Sequence, residues 1–288
     1  MKHSVDCLPC LLQQAVRTAK RHLPHEEDQM EMARAVIAIM ATLEEDESVP
    51  YIVQKIQTTL KKHLNNPDPF KEEKDYYNRE MLKLEDELIQ LRDSCADPFV
   101  AGLKLAAAGN IIDFGPGYDL SRNMVLESIR ETLAREYCDE VLISLQADLE
   151  QATTVLYLGD NAGEIVFDKI FIAAIKEHYP QLVVYFATRG KPILNDVTEA
   201  DAYLVGMDRL AIIINNGTDI PGTVLPYCSP DFVKIFDQAN VIISKGQGNF
   251  ESLYGSGREN LYYIFLCKCG LFMDRLGAKQ NDIILMRE

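Results

Sequence analysis

Two adjacent side chains, Asp160 and Asn161, have the oxygen atoms and the setting of a metal site. They follow the apolar run 155–158 and lie between Gly159 and Gly163, and a helical pattern of apolar residues comes next. This order predicts a buried strand feeding a helix, and ligands bind where such strands end. Carboxylate and amide oxygens suit a hard divalent cation. Asp and Asn are also common helix N-caps, and this segment alone does not separate the two functions.

Polar loops follow three further apolar runs, at 188–196, 215–223 and 245–251. If the strands are parallel, these loops share one edge of the sheet with the first turn. Four polar loops at one edge indicate a site rather than chance. The loop after the second strand offers one more oxygen ligand, from Asn195 or Asp196.

Lys245 begins the last of these loops and supplies a positive charge, a common partner of phosphate. Three glycines in these loops, Gly217, Gly246 and Gly248, allow backbone N–H groups to approach an anion closely. A cation, a lysine and exposed amides together predict a phosphate-handling pocket. Glu164 lies in the first turn of the helix after Asp160. Its negative charge either interacts favourably with the helix dipole or orients a water molecule beside the metal.

The elements that must position these residues follow from the apolar pattern. Strands are predicted at 155–158, 182–187, 210–214, 240–244 and 262–267. All five are nearly uninterrupted apolar runs, as expected of parallel strands covered on both faces. Helical patterns alternate with them, so this half of the chain is predicted as α/β, a parallel sheet with crossover helices.

Residues 1–150 are predicted to be mostly helical, and 151–288 to form the α/β domain. Apolar stripes indicate helices near 8–23, 27–43, 50–64, 77–91, 99–108 and 121–150. Asn110 and Asp113 lie in the glycine-rich turn 109–117. That turn is typical of a helix C-cap, but its polar ends could also reach into a cleft.

The composition limits the possible partners. The 288 residues carry a formal net charge of −15, with 47% hydrophobic and 25% charged residues, as in soluble globular proteins. Nucleic acid is not expected as a partner, because phosphate backbones require a basic surface. No apolar run approaches the roughly 18 residues of a membrane span. The first ten residues lack the apolar core of a signal peptide, so a cytoplasmic protein is expected.

The seven cysteines are an odd number in a long chain, and a disulfide framework is not expected. Cys7 and Cys10 form a CxxC motif that opens the first predicted helix, where thiol pKa values are lowered. Cys267 and Cys269 are the other close pair, with a spacing unlike that of zinc fingers. A structural role is favoured, and a metal or redox function built on these four thiols is the alternative.

Other families fit these residues less well. Haloacid-dehalogenase phosphatases need a second Asp two residues after the first, where Ala162 stands. A G-x-G-x-x-G fingerprint does not follow the first strand, and the sequence has no Walker loop. An S-adenosylmethionine-dependent methyltransferase is the alternative, because VLYLGDNAGE looks like its first motif. Against it, the turn has few glycines, and the Lys and Asp on neighbouring loops would have no clear task.

Four phrases that occur in order, GDNAGE, RGKPILND, NNGTDIPGT and SKGQGNFESL, resemble those of the metal-dependent damage-control phosphatases. That family was long catalogued as a domain of unknown function and includes proteins once described as acidic-residue methyltransferases. The resemblance covers nearly the whole chain. The N-terminal CxxC and the phrase AAAGNIIDFG match the prokaryotic branch.

The resemblance implies a helical N-terminal domain packed on a Rossmann-like, three-layer α/β/α domain. It implies a divalent ion (Mg²⁺, Mn²⁺, Co²⁺ or Ni²⁺) held by Asp160, Asn161 and Asp196, and hydrolysis of small phosphate monoesters such as sugar phosphates or damaged phosphometabolites. Catalytic roles are predicted for Asp160, Lys245 and Glu164. The residues predicted to bind the substrate are Asn110, Asp113, Asn216, Gly217, Gly246, Gly248 and Asn249.

In the predicted mechanism, the metal and Lys245 stabilise the charge of the transferring phosphoryl group. Either a water molecule or the Asp160 carboxylate attacks the phosphorus, and the sequence leaves both open.

Overall fold

The computed structural model describes residues 1–110, 122–134 and 139–288, which form helices around a six-stranded sheet. The strands are β1 (Thr154–Leu158), β2 (Val183–Thr188), β3 (Ile212–Asn215), β4 (Val241–Lys245), β5 (Leu261–Leu266) and β6 (Ile283–Arg287). The first five lie within two residues of their predicted bounds. The sixth was not predicted.

The strand order in the sheet is β3-β2-β1-β4-β5-β6. Strands β1 to β5 are parallel to their neighbours, and β6 is antiparallel to β5. The order reverses between β1 and β4, and open α/β sheets bind ligands outside the carboxyl ends of the strands at such a point. The loops after β1 and β4, which carry Asp160 and Lys245, therefore flank this crevice.

The helices of the first half are α1 (Cys7–His22), α2 (Glu26–Met40), α3 (Val49–Leu64), α4 (Lys71–Leu82), α5 (Glu85–Asp93), α6 (Pro98–Ala108), α7 (Arg122–Leu133) and α8 (Asp139–Gln151). Those of the second half are α9 (Glu164–His178), α10 (Glu199–Leu204), α11 (Pro230–Gln238), α12 (Gly246–Leu253) and α13 (Gly270–Leu276). In the described ranges, no helix combines the length and the apolar character needed to cross a membrane.

Two predicted helices were wrong in their extent. The pattern 77–91 is divided between α4 and α5, which are separated at Lys83 and Leu84. Tyr77 and Leu88 belong to the same buried cluster, so the apolar periodicity continues across the break. The predicted stretch 121–150 is likewise divided between α7 and α8.

Helices cover both faces of the sheet, which confirms the predicted three-layer α/β/α architecture. In β1, Val155 and Tyr157 point to a core shared with α4 to α9, whereas Leu156 and Leu158 point to a core shared with α11, α12 and α13. This alternation is the period-two pattern of a strand buried on both sides. The sheet therefore holds the β1 turn rigidly.

The hydrophobic core crosses the domain boundary predicted at residue 150. Helices α4 to α8 contribute buried residues such as Phe99 and Leu145 to the same cluster as β1 and α9. Helices α1 to α3 instead have a separate core, which includes Leu11, Val36 and Leu60. The boundary near residue 150 stays a prediction, and the core clusters separate α1–α3 from the rest.

Candidate active site

The turns after β1 and β2 meet at the carboxyl edge of the sheet. Val197 N–H donates to the Asp160 carbonyl at 2.9 Å, and Ala162 N–H donates to the Asn195 carbonyl at 2.9 Å. Asn161 and Asp196 form an isolated antiparallel bridge between the two turns. The two turns thus come together, as the parallel strands predict.

A cavity of about 780 Å³ opens over these turns. Asp160, Asn161 and Asp196 line it, together with Asn110 and Gly248. Its other walls come from α1, α3, α12 and the connection between β5 and α13. All three residues predicted to bind the metal therefore face one cavity.

The side-chain amides of Asn110 and Asn161 bridge two carboxylates at the base of the cavity. Asn161 Nδ2 donates to Asp160 Oδ2 at 2.6 Å and to Glu164 Oε2 at 3.1 Å. Asn110 Nδ2 donates to the same two oxygens, at 3.3 and 2.8 Å. Because these bonds use the Asn161 nitrogen, its amide oxygen is directed away from the carboxylates. Glu164 thus orients a predicted metal ligand.

Lys245 lies fully buried beneath the site, with three acceptors for its three N–H donors. Its Nζ lies 2.6 Å from Glu164 Oε1, 2.6 Å from Asp168 Oδ1 and 2.7 Å from the Ala106 carbonyl. Tyr157 OH donates to the same Asp168 oxygen at 2.7 Å. The predicted direct contact between Lys245 and phosphate departs from this arrangement, because it would require one of these bonds to break. Lys245 instead holds Glu164.

The pKa values of this buried group show how strongly its charges depend on each other. Burial raises the pKa of Asp168 to about 6, against the attraction of Lys245. Burial opposes the charged form of Lys245, but the two carboxylates raise its pKa above the usual value. Removal of either partner would leave an uncompensated charge in a dry environment.

Arg189 lies behind the two carboxylates predicted to bind the metal. Its Nε donates to Asp196 Oδ2 at 2.7 Å, and its Nη2 lies 3.8 Å from Asp160 Oδ1. The guanidinium is almost fully buried. It therefore fixes the orientation of Asp196 and offsets part of the negative charge.

The site has more acidic than basic side chains. Four buried carboxylates (Asp160, Glu164, Asp168 and Asp196) face two cationic side chains, so two charges are left over when all are ionised. Burial raises the pKa of Asp160 well above its usual range, and repulsion from Glu164 and Asp196 raises it further. Burial also raises the pKa of Asp196. A divalent cation would relieve this repulsion.

The donor set suits a hard divalent cation. Two carboxylates and one amide supply only oxygen, the ligand type of Mg²⁺ and Mn²⁺. In the described part of the chain, no three His, Cys, Asp or Glu side chains are already arranged around a common metal position. The candidate set contains two residues of these types, Asp160 and Asp196, and its third member is Asn161. The oxygen atoms and the carboxylate charge of these three residues fit a hard divalent ion.

Gly246 must be glycine for the site to exist as described. Its φ is +78°, and a Cβ there would lie 1.9 Å from Asp160 Oδ2. The backbone at the start of α12 therefore touches the candidate metal ligand. Gly248, two residues later, lines the cavity.

Three of the residues predicted to bind substrate organise loops and do not line the cavity. Asn216 Oδ1 accepts from the N–H groups of Gly190 and Thr218, at 3.1 and 3.0 Å. Gly217 packs directly against Gly190. These hydrogen bonds and this close packing hold the 188–196 and 215–223 loops together. Asn216 and Gly217 thus support the site from behind.

Asn249 is the third of these residues. Its Nδ2 donates to the carbonyls of Gly159 and Lys245, at 3.1 and 2.7 Å, and its Oδ1 accepts from Thr223 Oγ1 at 2.8 Å. It thereby joins the end of β1 to the start of α12. Asp113, also predicted to bind substrate, lies outside the described residues.

Sequence reasoning missed Asp168 and Arg189. Asp168 comes four residues after Glu164 in α9, and two acids on one face of a largely buried helix could have predicted a buried cationic partner. Arg189 gave no comparable signal, because a loop arginine is usually a solvated surface residue.

The CxxC cysteines also lie at this cavity. Cys7 and Cys10, from the first turn of α1, line it together with Cys269. All three are free thiols, and burial raises the pKa values of Cys7 and Cys10. Raised thiol pKa values disfavour the reactive thiolate.

Comparison with known proteins identifies the family of this chain. The damage-control phosphatase ARMT1-like domain matches residues 3–284. The chain belongs to this family. Membership supports a phosphatase function, which the resemblance of the four motifs also implied.

Relatives of full length support this assignment. Uncharacterized protein MJ0202 of Methanocaldococcus jannaschii is 33% identical, over 100% of this chain and 96% of its own. Damage-control phosphatase PH1575 of Pyrococcus horikoshii is 30% identical, over 100% of this chain and 98% of its own length. The crystal structure of PH1575, described as a DUF89 family protein, matches with a TM-score of 0.90 and covers 100% of this chain and 99% of that one. The described part of the chain therefore shares the fold of this relative.

Proposed function

We propose that the protein is a divalent-metal-dependent phosphatase that hydrolyses phosphate monoesters of small metabolites. The observation that carries the proposal is the meeting of Asp160, Asn161 and Asp196 on one cavity, where buried acidic side chains outnumber basic ones. Membership in the damage-control phosphatase family supports the same reaction class. It also favours hydrolysis over the methyltransferase alternative.

In this proposal, Asp160, Asn161 and Asp196 hold the ion through their oxygens. The ion, when bound, supplies the positive charge that stabilises the phosphoryl oxygens during transfer. Glu164 keeps the amide nitrogen of Asn161 turned inward, and Lys245 keeps the Glu164 carboxylate in place. Oxygen ligands favour Mg²⁺ or Mn²⁺, and Co²⁺ or Ni²⁺ are the further candidates.

The start of α12 is proposed to receive the phosphate. The first N–H groups of a helix lack intrahelical partners and favour anions. Gln247 and Gly248 lie in this first turn and line the cavity. Glycine at position Gly248 leaves room for a phosphate oxygen to approach the backbone.

The size of the cavity supports a small-metabolite substrate. At about 780 Å³, the cavity is within the range that holds drug-sized ligands, and it is far larger than a phosphate ion needs. Sugar phosphates and damaged phosphometabolites are of this size. We therefore propose phosphate monoesters of this class as substrates.

The test is p-nitrophenyl phosphate hydrolysis with and without Mn²⁺. We expect Asp160→Asn and Asp196→Asn to abolish the metal-dependent rate while circular dichroism stays unchanged. Asp274→Ala is the matched control, because Asp274 lines the same cavity but is exposed and outside the proposed ligand set. Substantial metal-dependent hydrolysis by either Asn variant would refute the ligand assignment.

A further inference from the structure

Leu194 has a backbone conformation that leucine rarely adopts. Its φ is +46°, in the left-handed region. It is the second residue of a turn in which Asp196 N–H donates to the Ile193 carbonyl at 3.0 Å. Turns with positive φ at this place normally have Gly, Asn or Asp there. A leucine at this position therefore needs a compensating interaction.

Apolar packing supplies that interaction. The Leu194 side chain packs against the separate core of α1, α2 and α3. Helix α3 also makes polar contacts with this loop and with the neighbouring 215–223 loop. Lys61 donates to the Pro192 carbonyl, and Gln54 Nε2 donates to Asp219 Oδ1 at 3.1 Å. The α1–α3 helices thus hold the turn from one side.

The other side of the turn forms part of the candidate metal site. The backbone of Asp196 pairs with that of Asn161, and the Asn195 carbonyl accepts from Ala162. Leu194 itself lines the cavity. Any shift of the turn would therefore move the Asp196 carboxylate relative to Asp160.

We infer that Leu194 is a positioning residue, whose packing into the α1–α3 core holds a strained turn that presents Asp196 to the metal. Leu194 thereby adds an apolar link between the helical unit and the metal site to the polar contacts of Lys61 and Gln54. The inference rests on the proposed function, because it assigns Asp196 as a metal ligand. Strained backbone of this kind persists only where the surrounding packing imposes it.

Thermal unfolding of the metal-free protein tests the strain. Leu194→Ala removes the packing and keeps the strain, whereas Leu194→Gly removes both, because glycine accepts a positive φ. We expect Leu194→Gly to unfold at a higher temperature than Leu194→Ala. At an unstrained position the order is reversed, because glycine has the greater unfolded-state entropy, and that order would overturn the inference.

Mn²⁺ affinity, measured by titration calorimetry, tests the link to the metal site. We expect Leu194→Ala to bind Mn²⁺ roughly tenfold more weakly, as when outer contacts of metal ligands are lost. Leu194→Met should keep wild-type Mn²⁺ affinity, because methionine is an apolar side chain of similar volume. Leu60→Ala is the control: Leu60 is buried in the same core but does not line the cavity. It should lower stability and leave Mn²⁺ affinity unchanged.

Two results would overturn the inference alone: wild-type affinity in Leu194→Ala, or an equal loss of affinity in Leu60→Ala. A wild-type protein that binds no Mn²⁺ would overturn the proposed function, and with it the role of Leu194. The two failures are therefore distinguishable.

Discussion

Substitution of Gly246 by alanine should disable the site through a single methyl group. The added Cβ would lie 1.9 Å from Asp160 Oδ2 and 2.2 Å from its Cγ. Real Cβ atoms do not approach other heavy atoms closer than 3.0 Å, so the carboxylate must move by about 1.1 Å. A displacement of this size at a reacting centre costs about 100-fold in rate.

The stability cost of Gly246→Ala has two parts. The positive φ of +78° disfavours alanine by about 1–2 kcal/mol. The clash with a buried, hydrogen-bonded carboxylate adds about 1–3 kcal/mol, the usual cost of overpacking. Gly255→Ala is the matched control, because Gly255 has a φ of +87° but no heavy atom within 4 Å of the added methyl group.

Three measurements on both variants separate these effects: urea unfolding without metal, Mn²⁺ titration, and p-nitrophenyl phosphate hydrolysis. Gly255→Ala should lose about 1–2 kcal/mol of stability and keep wild-type affinity and activity. Gly246→Ala should lose more stability, and both its Mn²⁺ affinity and its rate should fall by about 100-fold. Wild-type Mn²⁺ affinity and rate in Gly246→Ala would refute the contact between α12 and the metal ligand.

Two further predictions concern buried charges. Lys245→Met should lower the free energy of unfolding in urea by about 3–5 kcal/mol, because Glu164 and Asp168 lose their cation; wild-type stability would contradict the ion-pair account. Burial raises the pKa of Glu251 from 4.5 to about 7, so the native state binds its proton more tightly than the unfolded state does. Its contribution to stability is therefore full below pH 4.5 and is lost as the pH rises through 7. Relative to Glu251→Gln, the wild type should lose on the order of 1–3 kcal/mol between pH 5 and 8, and parallel profiles would contradict this.

The sheet and the meeting of its loops could be predicted from local sequence. Each of β1 to β5 is a continuous apolar run, polar loops follow the first four, and parallel pairing brings those loops to one edge. Strand β6 has an apolar run of the same length as that of β1, the four residues Ile283 to Met286, and could have been predicted from it. A strand at the edge of a sheet pairs with one neighbour, and four apolar residues are enough for it.

The partners of buried charges could not be predicted. Lys245 was expected at the phosphate, but its three bonds go to residues 77, 81 and 139 positions away in sequence. Asn216 and Asn249 have polar side chains in the predicted loops, yet they satisfy buried backbone groups. Local sequence indicates that a polar residue is near a site, whereas its hydrogen-bond partner depends on tertiary packing.

Anomalous diffraction from a crystal soaked in Mn²⁺ and inorganic phosphate would show where the metal and the phosphate bind. We expect one strong peak within about 2.0–2.6 Å of oxygens from Asp160, Asn161 and Asp196, the range of hard-cation ligands. Phosphate should lie between this peak and the start of α12. No peak at these residues, or a peak only at the cysteines, would rule out the proposed metal site.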